Sequence, residues 1–113
     1  MTDRELLELA AKAAGYPLIE STRRLTKDKY FEIVYNAAGN RAVWSPLTND
    51  GDALRLAATL RIDVRHWDGP DRISGEHPSL KENSIMVDVC GGPLWATRRA
   101  IVRAAAEIGK ELK

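Results

Sequence analysis

Cys90-Gly91-Gly92-Pro93 is the stretch of this chain closest to enzyme chemistry. A thiol between a strand end and a helix start lies in the field of the positive helix end, which favours the thiolate. The glycine pair leaves backbone N–H groups open to an anion. The rest of a cysteine site does not follow. A phosphatase-type loop closes Cys to Arg across five residues, but Ala96 stands at that spacing and the next arginine is Arg98. His66 and His77 give no Cys/His/Asn grouping. Cysteine is commonly a small buried apolar residue, which is the plainer reading of Cys90.

Asn49, Asp50 and Asp52 are the densest oxygen ligands, in Trp44-Ser45-Pro46-Leu47-Thr48-Asn49-Asp50-Gly51-Asp52. A calcium loop of the EF-hand kind needs a closing Glu, and counted from Asp50 that position is Arg61. The plainer roles are helix capping for the carboxylates and core packing for Trp44. The histidines lack metal-ligand spacing and one cysteine makes no zinc pattern, so neither metal nor cofactor is expected. Ser45 precedes Pro46 and lacks the glycines of a nucleophile elbow.

Arg99, Arg103 and Lys110 project from one side of the last helix and could contact phosphates, with Glu107 and Glu111 diluting the row. Arg98 falls about 40° from the apolar stripe of that helix. A half-buried guanidinium needs a carboxylate or carbonyl, and Asp50, Asp52 and Asp88 are candidates. Of the three tryptophans, Trp67 opens a long loop and Trp95 flanks the stripe of the last helix. Aromatics in such places anchor protein partners, or simply cover a sheet edge.

These residues need elements to hold them. Residues 2–14 read as an amphipathic helix with Thr2 and Glu5 as a capping box, closed by Gly15 and Pro17. Residues 16–29 read as a connector. Phe31, Ile33 and Tyr35 alternate on a half-buried strand, and Arg41–Trp44 returns as its hairpin partner. A second helix covers about 50–61, with Ala53, Leu56, Ala57 and Leu60 on its apolar side. Ile62–Trp67 and Ser84–Cys90 are further strands, separated by a non-periodic loop over 68–83. Leu94–Leu112 is the last helix, with Leu94, Ile101, Ala105, Ile108 and Leu112 on one stripe. The order α-β-β-α-β-β-α predicts an α+β domain, a mainly antiparallel sheet of about four strands covered by helices.

The bulk numbers agree with one domain. The chain has 113 residues, 44% hydrophobic and 29% charged, which supports a single core without disorder. Seventeen basic against sixteen acidic residues give a net charge of +1, which removes bulk attraction to nucleic acid or acidic membrane. No stretch approaches the ~20 apolar residues of a membrane span. The start of the chain does not read as a signal peptide, and a single cysteine fits a reducing cytoplasm. No internal repeat is visible.

The stretch W-S-P-L-T-N-D-G-D-A-L-R-L-A, Trp44 to Ala57, resembles the phage ABA sandwich family, small phage- and prophage-encoded proteins. A second stretch, A-T-R-R-A-I-V-R-A-A-A-E-I-G from Ala96 to Gly109, and the opening helix E-L-L-E-L-A-A-K-A-A-G are also similar. The resemblance implies an α/β/α sandwich and action in the cytoplasm of an infected or lysogenic bacterium. It carries no catalytic residues.

The leading expectation is therefore a non-enzymatic module binding a bacterial or phage protein, with a homodimer also open. Its surface would be Trp44, Pro46, Leu47, Asp50, Asp52 and Arg55, with Trp67 and Trp95 as anchors. One alternative is a nucleic-acid-associated protein using Arg99, Arg103 and Lys110. The other is a small enzyme using Cys90.

Overall fold

A computed structural model of the chain describes residues 2–34, 37–67, 72–78, 80, 84–88 and 92–112, with the backbone alone at Ser84, Met86 and Asp88. Helix α1 spans Asp3–Ala14, and the Thr2 hydroxyl accepts the Glu5 N–H as its spacing predicts. Strands β1 (Leu18–Thr22), β2 (Lys29–Val34) and β3 (Arg41–Val43) follow, then α2 (Asp50–Leu60). Strands β4 (Asp63–Trp67), β5 (Arg72–Glu76) and β6 (Ser84–Asp88) lead to α3 (Pro93–Glu111). The α+β class and antiparallel pairing hold.

The single sheet of about four strands does not. The described residues form two three-stranded antiparallel sheets, β1-β2-β3 and β4-β5-β6. Each expected hairpin gains a strand. β1 lies in the supposed connector, where Leu18 pairs with Ile33 and Thr22 with Lys29. Its two apolar residues, Leu18 and Ile19, are adjacent in sequence and so give no alternation. β5 lies inside the supposed loop over 68–83 and forms the centre of the second sheet, pairing with both β4 and β6. Ile73 and Gly75 alternate on its helix-facing side. A Cβ on Gly75 would stand 2.8 Å from the Ala100 carbonyl oxygen and 3.1 Å from the Ala104 Cβ. The close approach requires glycine, and glycine erases the strand's hydrophobic signature.

Helix α3 is the axis of the core. One side meets the second sheet, where Ala96 and Ala100 pack on Ile73 and Val87. Its other sides meet α1 and α2, burying Ile101, Val102, Ala105 and Ala106 with Leu6, Ala10, Ala53 and Leu56. Near its end, Gly109 runs against α1 so closely that a Cβ would lie within 2.1 Å of the Leu9 carbonyl oxygen. Ile101, Ala105 and Ile108 of the expected stripe of α3 face the core, and its two ends are corrected. Leu94 and Leu112 are exposed, while alanines all around the helix are buried. A helix covered on several sides loses the single stripe that marks a surface helix.

The first sheet is the more open one. Leu18, Phe31 and Ile33 reach the helical core, yet every side chain of β1, β2 and β3 is half-buried or exposed. Although the sequence shows no repeat, the element order β-β-β-α occurs twice.

Candidate functional site: the strand-to-helix corner and its groove

The corner between β3 and α2 is built by side chains answering backbone groups. Trp44 extends the β2–β3 ladder, its N–H donating to the Phe31 carbonyl at 2.8 Å. Its ring is buried at 3% exposure and meets Tyr16 edge-on, 5.8 Å between centroids. Pro46 is fully buried. The chain then turns, with the Thr48 and Asn49 N–H groups donating to the Ser45 carbonyl at 3.0 and 2.8 Å.

Asn49 caps α2, its side-chain oxygen accepting the Asp52 N–H at 2.9 Å. Asp52 reaches back to accept the Ser45 N–H at 2.9 Å and also accepts from Arg55 at 2.8 Å. This carboxylate is buried and fully engaged, which stabilises both the cap and the turn. Arg98 completes the corner from α3. Its Nε donates to the Leu47 carbonyl at 2.9 Å, and its terminal nitrogen to Asp50 at 2.6 Å. The partner that the sequence requires for Arg98 is thus both a carbonyl and a carboxylate, and Asp50 is the carboxylate. The capping expectation is thus corrected for Asp50: Asn49 is the cap and Asp52 closes the turn on the Ser45 N–H, while Asp50 pairs with Arg98.

Beside the corner lies a groove of about 550 Å³ between α2, β4 and the first turns of α3. Leu54, Ala58, Val64, Leu94 and Ile101 line it. Asp50 and Arg98 also line it, as do Arg61, Asp63 and His66. Leu54 and Leu94 are 68% and 62% exposed. Leu54 stands off the Ala53–Leu56–Ala57 buried side of α2, and Leu94 sits at the first turn of α3.

The expected surface is split by this geometry. Trp44 and Pro46 are buried, so they shape the corner and are removed from the contact surface. Leu47 is half-buried and contributes its carbonyl to Arg98. Asp50 lines the groove, whereas Arg55 is exposed outside the lining and paired with Asp52. Trp95 is 37% exposed under the Arg99 guanidinium, 5.6 Å from its ring centre, and is not part of the groove lining. Trp67 belongs to the opposite face of β4 from Val64 and His66. There its indole N–H donates to Ser74 at 3.0 Å and Arg65 stacks on its ring. Leu54 and Leu94 are the residues that the sequence reading misses. The available signal was Leu54, an apolar residue on the polar side of α2.

The basic row of α3 is largely engaged. Arg99 pairs with Asp3 at 2.8 Å and Lys110 with Glu107 at 3.6 Å, leaving Arg103 exposed. Cys90 lies outside the described residues. Among those residues no group of three His, Cys, Asp or Glu could hold a metal ion, and no helix is long and apolar enough to cross a membrane. Comparison with known proteins finds no matching family model, no matching curated protein and no matching solved structure.

Proposed function

We propose that this chain is a non-enzymatic protein-binding module whose α2–α3 groove receives an apolar segment of a partner protein. The observation that carries the reading is the pair of exposed leucines, Leu54 and Leu94, beside a concave surface. Large apolar side chains gathered at a concavity lose water when a partner covers them. The corner supports this reading because Arg98 ties α3 to the turn before α2, so the groove is held open before binding. A preorganised surface loses less entropy on association. Asp50, Arg61 and Asp63 supply charges of both signs that would select the orientation of the partner.

From the family resemblance the proposal takes a phage or prophage origin, the α/β/α sandwich as the family's architecture, and action in the bacterial cytoplasm on a bacterial or phage protein. The nucleic-acid reading is weaker, since Arg99 and Lys110 already hold carboxylates.

The test is affinity capture from nuclease-treated bacterial lysate with wild-type protein, Leu54→Asp and Leu94→Asp. The expected result is a stoichiometric partner held by the wild type and lost by both variants, with their thermal unfolding unchanged. A partner held equally by all three proteins, or lost on nuclease treatment alone, would overturn the reading.

A further inference from the structure

β3 is an outer strand of the first sheet, and its side chains are exposed, Val43 at 53%. The residue after it sets its hydrogen-bonding phase. The Trp44 N–H donates to the Phe31 carbonyl at 2.8 Å. Antiparallel ladders alternate, so Ala42, opposite Ile33, also turns its N–H and C=O toward β2. Arg41 and Val43 turn theirs to the open side, where such groups template a further strand. The other outer strand, β1, is poorly suited to pair with its own copy. Pairing about its central residue, Glu20, would set two carboxylates side by side.

The charges beside β3 point to what its edge receives. The register places Glu32 directly across from Val43 on the outer face of the sheet, and Arg41 is on that face two residues from Val43. Glu32 is half-buried and takes the Ser21 hydroxyl at 2.7 Å. Among the described residues no cation pairs with Glu32 and no carboxylate pairs with Arg41. We propose that β3 pairs antiparallel with β3 of a second copy, about a two-fold axis at Ala42. Arg41 and Val43 of each copy then exchange N–H···O=C bonds with Val43 and Arg41 of the other, and two small alanines meet on the axis. The same register sets Arg41 of the second copy beside Val43, one strand beyond Glu32. Strands lie about 4.8 Å apart, so the arginine stem covers Val43 and its guanidinium reaches the Glu32 carboxylate. The two-fold axis makes this ion pair twice and joins the two first sheets into one. The contact is narrow, so the dimer forms and parts reversibly. No residue of β3 lines the α2–α3 groove, so this contact stands apart from the proposed partner site.

The experiment is sedimentation equilibrium of the full chain from micromolar to millimolar concentration, with thermal melts to show that each variant is folded. Wild type is expected to be a monomer when dilute and a dimer when concentrated, more weakly so at high salt. Val43→Pro removes an outward N–H and should leave a monomer. Glu32→Arg and Arg41→Glu should each weaken self-association at least about tenfold, because like charges then meet across the axis. An equimolar mixture of those two variants should dimerise again, since each supplies the charge that the other lacks. Leu54→Asp should dimerise as wild type does. Should Glu32→Arg unfold the chain, Glu32→Lys takes its place in the mixture. The proposal is overturned if the wild type stays monomeric at millimolar concentration, if Val43→Pro dimerises unchanged, or if the mixture stays monomeric. Loss of the dimer in Leu54→Asp would overturn it as well, by moving the contact to the groove.

Discussion

The chain lays down three antiparallel strands and a helix twice, and the two units hold their helices by different means. In the second unit the sheet lies directly on α3, so close that β5 needs glycine at position 75 and α3 needs alanine at 100 and 104. In the first unit the strands keep half-exposed side chains, and the helix is fixed through its entry corner. The corners differ in the same sense. Asn49, Asp52 and Arg98 build the first from side chains, whereas Gly92 enters α3 at φ 100° and ψ 152° without a side-chain cap. The groove forms where the two units meet, with Leu54 supplied by the first and Val64, His66 and Leu94 by the second, and Arg98 of the second unit ties the corner of the first.

The largest effects should come from filling the close contacts around α3. Gly75→Val and Gly109→Ala are each expected to cost about 3 kcal/mol, because backbone atoms stand where the new Cβ would go. Urea unfolding at constant slope measures this, and tolerance of Gly75→Val would dissolve the contrast between the sheets. Next comes Asp52→Ala, at about 2 kcal/mol, since it strips a partner from the Ser45 N–H as well as from Arg55. The same titration reads it.

The two corners can then be set against each other. Gly92→Ala should cost about 2 kcal/mol, because that backbone region is nearly closed to residues with a Cβ. Asn49→Ala should cost about 1 kcal/mol, the usual loss of a side-chain cap. A reversed order in thermal melts would mean that the first corner is the more strongly built. Smallest are Leu54→Asp and Leu94→Asp, expected within about 0.5 kcal/mol of wild type because both side chains are already in water.

How much of this was legible varied with how far each feature depends on distant contacts. The caps of α1 and α2 are local chemistry, and Thr2, Glu5, Asn49 and Asp52 announce them in order. So does the need of Arg98 for a partner, although only the tertiary fold chooses Asp50 and the Leu47 carbonyl. β5 was hidden because its defining residue, Gly75, is selected by a helix lying next to it and carries no pattern of its own. α3 was legible only in part. Ile101, Ala105 and Ile108 of its expected stripe do face the core, but the helix has three neighbours, so alanines on its other sides are buried as well and the terminal Leu94 and Leu112 are left exposed. The candidate groove depends on that difference, since Leu94 became visible as a surface residue only once α3 was placed.

Amide hydrogen exchange of the full chain tests the division between the two units most directly. The account predicts that β4, β5 and α3 exchange only through global unfolding, that β1–β3 exchange through cheaper local opening, and that the Ser45 amide stays protected by Asp52. Equal protection in the two sheets, or a fast Ser45 amide, would contradict it.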